Sequence, residues 1–469
     1  MEDILLKGLE KAQELGASYA EVRVESTETE SIVMRNNKIE AVGRTKTAGM
    51  SVRVLYKGCW GFASLPRITS DSVVGLIEHA IKLAKATASI SKSKITLSEE
   101  KFVEDHVEIK PKLDFRDVPI EEKQEFLRDL SSRVMEYKPM NAMFVLNLSE
   151  GKKWYANTDG AAIYFRKPLT VLSYNILIMS SNWSEMVTNQ RGASRGWEYL
   201  KESNIIEEVV TEVEGAKKVC DKGVSPPKEP IDVIAGPHLV GIFVHESCGH
   251  PYELDRILGR EAAQAGESFI SIEMLGKRIG SDVVNVVDDP TVDGSYGFYL
   301  YDDEGVKAKK RYLIKNGIIN EFLMNRQYAG EIGLNSNAAA RASRYDREPI
   351  VRMSTTYLEP GDYSFEELIE DVKLGVYIKY YTEWNIDDRR YHQKYVGRES
   401  YLIKNGEILD PVKRPVLEIT TPELWSSIDA VGKELEFFAA TCGKGDPGQP
   451  IPVWMGGAPA RIRGVIVSR

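Results

Sequence analysis

The sequence predicts an α+β protein, with an N-terminal α/β portion of antiparallel strands and flanking helices followed by a β-rich C-terminal portion. Three observations carry this. Apolar residues recur at helical spacing in a few separated segments, the first at Ile4, Leu5, Leu9, Ala12 and Leu15. Between and after these segments, short alternating runs are punctuated by Asn and Gly pairs, the pattern of strands and tight turns. The hexapeptide Y-L-I-K-N-G occurs at 312–317 and again at 401–406, each copy a strand entering an Asn-Gly hairpin turn. Whether the two copies are duplicated β units or independent hairpins stays open at this level. A chain of 469 residues also exceeds one ordinary core, so several domains are expected.

The first helical stripe stops at Gly16, a suitable helix end. Strands follow at Tyr19–Glu25, Ile32–Arg35, Ile39–Val42, Met50–Leu55 and Trp60–Ala63, with Asn36-Asn37 and Lys57-Gly58 as turns. A helix starts at the Thr69-Ser70-Asp71 cap cluster and turns Val73, Ile77, Ile81 and Ala84 to one face. The stretch from Thr87 to Val118 is rich in Ser, Lys and Glu and reads as a linker. Pro119 opens a helix with Phe126, Leu127, Leu130 and Val134 inward. Strands at Ala142–Leu148 and Leu169–Ile178 flank the turn Asn157-Thr158-Asp159-Gly160. A helix at Ile205–Val219 leads to Ser225-Pro226-Pro227, a second boundary. The division expected is 1–110, 111–222 and 223–469, with strands dominating the last segment.

Composition excludes several classes. Net charge is −9, the wrong sign for a nucleic-acid binder. The four cysteines (Cys59, Cys220, Cys248, Cys442) are too sparse for a disulfide framework, which suits a reducing compartment. The N-terminus is acidic and amphipathic rather than a secretory leader. No run approaches the ~20 apolar residues of a membrane span. A soluble, cytoplasmic protein is expected, with no membrane or nucleic-acid partner.

Chemistry concentrates at V-H-E-S-C-G-H-P, residues 244–251. In the zinc-protease motif H-E-x-x-H the histidines stand four apart on one helix face. Here His245 and His250 are five apart, which at ~100° per residue leaves them ~140° apart on a straight helix. Two local devices could bring them together. A π-bulge absorbs one extra residue. Alternatively, the helix breaks at Gly249-His250-Pro251, where glycine permits unusual φ and a residue before proline avoids the α region. Without either, both histidines are ordinary hydrogen-bonded residues. Cys248, three residues after His245, is a rival ligand or a small packed hydrophobe.

The run G-P-H-L-V-G-I-F-V-H-E-S-C-G-H-P-Y-E-L-D (236–255) resembles the TldD-type subunits of the TldD/PmbA zinc metalloprotease family, whose signature is H-E-x-x-x-H followed by E-x-D. The likeness extends to G-M-S-V-R-V-L-Y-K-G-C-W-G-F-A-S (49–64), Y-D-D-E-G-V (301–306), R-Y-L-I-K-N-G (311–317), P-I-V-R-M-S-T-T-Y (349–357) and T-C-G-K-G-D-P-G-Q-P-I-P-V (441–453). It implies a β-rich C-terminal metallopeptidase portion and zinc held by His245, His250 and Cys442. Three protein ligands would leave a position for water, as catalytic zinc requires. It further implies Glu246 as the general base, unfolded or short peptides as substrates, and either a homodimer or a pairing with a PmbA-type sister; the β-rich C-terminal portion suggests that substrate binds as an added strand. The alternative, a non-catalytic sister or scaffold, is the role of subunits that lack H-E-x-x-x-H.

The chain departs from the family pattern at Ala338, at Thr355 and across 385–399, positions expected to touch the substrate cleft or a dimer contact. Among the other histidines, His79 falls on a helix, His106 in the linker, and His238 in a turn before the motif. His392 is either an oxyanion donor or part of a solvated polar loop. Asp302-Asp303-Glu304 reads as a β-turn or, less simply, as a cation site.

Overall fold

The computed structural model describes residues 1–260 and 267–468. The N-terminal half is one twisted antiparallel sheet with helices on one face. Helix α1 (Glu2–Glu14) precedes β1 (Tyr19–Arg35), β2 (Lys38–Tyr56) and β3 (Cys59–Leu65), and α2 (Ser70–Ile90) follows, with its N-terminus capped by the Thr69 side chain. After β4 (Glu104–Glu108) and α3 (Ile120–Met135) come β5 (Asn141–Asn157), β6 (Ala162–Met179) and β7 (Ser184–Ala193), then α4 (Glu198–Glu202) and α5 (Ile205–Lys222). The strand order is β3-β2-β1-β5-β6-β4, and β7 also pairs with β6. Strands from both sides of residue 110 therefore lie in one sheet.

Strand alternation explains how this sheet is used. On β1, Ala20, Val22 and Val24 join the core under α1 and α2, while Ile32 and Met34 join the core under α3 and α5. Even positions thus face the helices along the whole strand. Odd positions Glu21, Arg23 and Glu25 carry charge to the opposite face, where the C-terminal half covers them. Tyr19 through Val24 are buried on both faces.

The sequence reading broke β1 after Glu25 and β2 after Val42. Both strands in fact run through, paired residue by residue from Tyr19↔Leu55 to Arg35↔Lys38. The intervening Ser, Thr and Glu residues are polar because their side chains meet solvent or charge partners, while the backbone ladder on both edges of β1 keeps them extended. The expected linker is likewise more ordered. It holds the end of α2, β4 (parallel to Ala162–Arg166), and a 3-10 turn at Phe115–Asp117 that buries Phe115. His106 sits exposed on β4 and His79 exposed on α2. The expected turns hold, with Asn36, Asn37, Lys57 and Gly58 all at positive φ.

Among the described residues, the C-terminal half has two large sheets around one buried helix, with a two-stranded ribbon, Ala340–Arg341 and Ile350–Val351, beside them. Strand β8 (Ile231–Ala235) lies inside an eight-stranded sheet, parallel to Leu374–Ile386 and antiparallel to Ala460–Val465. A six-stranded sheet includes Thr355–Leu358, Ile451–Gly457 and Glu436–Cys442. The two Y-L-I-K-N-G copies form hairpins in different sheets, each with Asn and Gly at positive φ. Helix α6 (Pro237–Val244) fills the space between the sheets, and every residue of it is buried. An apolar surface all round marks a helix with no solvent face. Gly241 lets it close on the six-stranded sheet, since a Cβ there would stand 3.3 Å from the Gly456 nitrogen. His238, expected in a turn, lies in the first turn of α6 and stacks on Tyr381. Burial brings its imidazole down to about 3, so it stays neutral.

Candidate metal centre

Helix α6 does not stop at Val244 but changes pitch. Residues His245–Gly249 form a π-turn, with the His250 N–H bonded to the His245 carbonyl, and His250–Tyr252 close it as a 3-10 turn. Pro251 explains the change. It has no N–H to offer the Ser247 carbonyl, the α-helical acceptor four residues back. The Trp425 indole donates to that carbonyl instead, at 3.3 Å. The extra residue is absorbed, and the two imidazoles meet with ring centres 5.0 Å apart. Gly249 serves differently from the expectation. Its φ is an ordinary −51°, and its value is space, because a Cβ would meet Met353 Sδ at 2.6 Å.

Across the core, strand Glu436–Cys442 ends with the Cys442 thiol beside these rings. One ligand-capable atom each from His245, His250 and Cys442 lies within 4.8 Å of the others. Cys442 Sγ is 3.3 Å from His250 Nε2. All three residues are buried. Cys248 is fully buried in the apolar core, where burial pushes its thiol up, and it stands outside this cluster.

Charge around the cluster is arranged in layers. His250 Nδ1 meets Glu253 Oε2 at 3.1 Å, which turns Nε2 toward the thiol. Glu253 Oε2 in turn meets Lys444 Nζ at 3.1 Å, and Lys444 donates to Asp255 Oδ1 at 2.6 Å and to the Val351 carbonyl at 2.8 Å. Arg352 donates to the Cys442 and Gln449 carbonyls, both at 2.6 Å, fixing the loop that presents the thiol. Burial works against the Glu253 charge, but Lys444 and His250 hold its carboxyl far below the usual range. Burial also opposes a charged His250, yet Cys442 and then Glu253 raise it to about 9. The same burial resists a Cys442 thiolate, which the two histidines and Arg352 favour strongly enough to pull the thiol well down.

Glu246 lies on the π-turn next to His245. Trp384 Nε1 donates to its Oε1 at 3.2 Å, and Arg390 Nε stands 3.9 Å from its Oε2. That second oxygen is buried without a hydrogen bond, as is His245 Nδ1. Trp384 is 44% exposed, so it marks the solvent side of the carboxylate. Two imidazoles, a stabilised thiolate and two unsatisfied polar atoms fit a metal ion with a working carboxylate beside it.

The remaining candidates separate clearly. His392 is exposed on its hairpin, its N–H bonded to Asp387, and Trp384 and Arg390 are the residues of that hairpin which reach Glu246. Asp302-Asp303-Glu304 is a turn whose acids are committed. Asp302 accepts from the Glu304, Val306 and Ala340 N–H groups, Asp303 pairs with Lys153, and Glu304 with Arg53 at 2.7 Å. The sequence reading assigned no role to Glu253, Asp255, Lys444 or Arg352, although all four fall in the E-x-D, C-G-K and P-I-V-R segments it had singled out. Trp384 and Arg390 had no such signal, and Arg390 lies within 385–399, where the chain leaves the family pattern.

The fold and this cluster together define the class: a protein with a candidate metal site of two histidines and a cysteine, built on a helix between two large sheets. The chain belongs to the PmbA/TldA metallopeptidase family. Family models match residues 20–84 (domain 1), 113–216 (central domain) and 228–469 (C-terminal domain). A metalloprotease of Methanocaldococcus jannaschii is 32% identical over 456 residues, covering 97% of this chain and 98% of its own. A protein of Saccharolobus solfataricus named a zinc metalloprotease TldD homolog is 27% identical and covers 98% of both chains. The crystal structure of TldE from Thermococcus kodakarensis has the same fold, with a TM-score of 0.78 at 18% identity over 98% of this chain and 99% of that one. Among the described residues no helix is long and apolar enough to cross a membrane.

Proposed function

We propose that the chain is a zinc-dependent peptidase acting on unfolded or short peptides, with His245, His250 and Cys442 as ligands and Glu246 as general base. The observation that carries this is the convergence of two imidazoles and a thiolate from distant segments beside a carboxylate with one free oxygen. Two nitrogens and one sulfur suit zinc and would leave a place for water. Bound zinc would supply a Lewis acid that polarises the peptide carbonyl and acidifies water. Glu246 would accept a proton from the attacking water and pass it to the leaving amine. Trp384 holds one Glu246 oxygen, and the other, without a hydrogen bond and 3.9 Å from Arg390 Nε, is left to accept the proton. Glu253, anchored by Lys444, keeps the His250 ring in orientation.

Burial supports a restricted substrate class. His245, Glu246, His250 and Cys442 are 3–7% exposed, so only a slim, flexible chain reaches them. A folded protein must first unfold locally to offer such a segment, at a free-energy cost. The acidic charge and four free cysteines support a cytoplasmic site of action. The kinship with TldE supports assembly with a sister subunit or a second copy. The test is to digest one protein beside a destabilised variant, with and without chelator. The expected result is chelator-sensitive cleavage of the unfolded form alone; equal cleavage of both would point to an open site instead.

A further inference from the structure

A cavity of ≈ 280 Å³ lies between the N-terminal sheet and the C-terminal half. Strands β1, β5 and β6 line one side, and residues 298–303, 340–343 and 451–452 the other. Its wall is partly aromatic, through Phe165, Phe298 and Tyr299. It also holds four cations, Lys152, Lys153, Lys167 and Arg341, beside the acids Glu25, Asp302 and Asp303; Lys152 pairs with Glu150 at 3.4 Å, and Lys153 with Asp303 and, at 3.8 Å, Glu25.

Lys167 and Arg341 bond to main-chain oxygens among the described residues. Lys167 Nζ donates to the Phe298 carbonyl at 2.6 Å, and Arg341 to the Met353 and Pro452 carbonyls at 2.8 and 2.9 Å. Asp303 acts on both cations but is already paired with Lys153, and an anion in the cavity offsets the cost that remains. Burial, with Arg341 and Lys153 close by, brings the Lys167 ammonium down to about 7. Asp303 is the acid that opposes this shift.

The cavity shares a wall with the metal centre. Ile451, which lines it, is the cross-strand partner of Cys442. Arg341 belongs to the ribbon Ala340–Arg341/Ile350–Val351, and the next residue, Arg352, holds the Cys442 carbonyl. Ligand cavities run from ~300 to ~1,000 Å³, so this one has room for one or two residues rather than a nucleotide.

We propose that this cavity takes the free C-terminal carboxylate of a peptide, with Lys167 and Arg341 as its counter-charges and the aromatic wall receiving the apolar side chain of the last residue. The choice of a peptide rests on the peptidase reading; the carboxylate chemistry does not. The test is calorimetric binding to the full chain with chelator present, so that no metal can capture the carboxylate. The probes are acetyl-Ala-Ala-Phe as the free acid, the same peptide as its amide, and acetyl-Ala-Glu-Phe amide. The free acid should bind about tenfold or more tightly than either amide, and Lys167→Met should abolish that preference while Lys167→Arg retains it. Equal binding of acid and plain amide overturns the site. Equal binding of the acid and the Glu-containing amide overturns its assignment to a chain end.

A measurement on the unsubstituted chain does not depend on how the variants fold. The free acid, and not the plain amide, should shield Lys167 from an amine-reactive ester, as mapped by mass spectrometry. Absence of shielding also overturns the proposal. Neither readout involves hydrolysis, so a chain that cuts nothing can still pass, and an active peptidase indifferent to chain ends fails only this inference.

Discussion

At the scale of single residues, the proposed site assigns holding a metal and moving a proton to different side chains. Cys442 faces His250 across the core, whereas Cys248 is packed among apolar side chains. Cys442→Ser should therefore lose metal and Cys248→Ser keep it, as read by metal analysis; equal metal content in the two variants removes Cys442 from the ligand set. Glu246 lies beside the cluster and outside it. Glu246→Gln should retain about one metal per chain yet lose ~100-fold or more of peptidase activity. Loss of the metal would make Glu246 a ligand, and full activity would move the base elsewhere. Lys444 matters in another way, because it stands between two buried acids, Glu253 and Asp255. Removing a partner from such a buried ion group typically costs ~3–5 kcal/mol. Lys444→Met should thus lower thermal stability as well as metal affinity, whereas Glu246→Gln should lower neither.

At the scale of elements, the informative one is the π-turn. Pro251→Ala restores an N–H that can compete with Trp425 for the Ser247 carbonyl and draw the turn back toward α-helical pitch. Each residue of slippage rotates a side chain by ~100°, so His250 would swing out of line. The expected outcome is weaker metal binding, about tenfold or more, with little loss of fold. Unchanged affinity would mean that packing around His250 alone imposes the turn. The five-residue spacing made such a turn, or a break, legible in the sequence, because periodicity is a local property. The Asn-Gly hairpins and the helical stripes were legible for the same reason. Strand length was not. Residues 26–31 and 43–49 read as breaks because no apolar alternation runs through them; 43–47 face solvent, and Glu28 and Glu30 pair with Arg116 and Lys123 from later in the chain. The shell around the centre was hidden likewise. Nothing local pairs Glu253 with Lys444 or brings Arg390 to Glu246; only the sheets do.

At the scale of the whole molecule, charge joins the two halves. Glu212 on α5 pairs with Arg191 on β7 at 2.5 Å and with Arg398 of the eight-stranded sheet at 2.6 Å. Burial opposes its ionisation, but the two arginines prevail and hold its carboxyl down to about 2, against 4.5 for a free one. A depressed carboxyl stabilises the fold above the unfolded value and loses that contribution as pH falls through the folded one. Acid should therefore loosen this junction between about pH 4.5 and 2, by on the order of 3 kcal/mol in all. In Glu212→Gln the drop in stability over that range should shrink; an unaltered acid transition would place the sensitive carboxylates elsewhere. The long connection from His250 to Cys442 also has a consequence for biosynthesis. The thiol lies 192 residues beyond the histidine it faces. A growing polypeptide displays both imidazoles and Glu246 long before it has the thiol that completes the cluster. Throughout that interval the nascent chain cannot close the cluster, so under the proposed function synthesis would proceed with the peptidase unarmed.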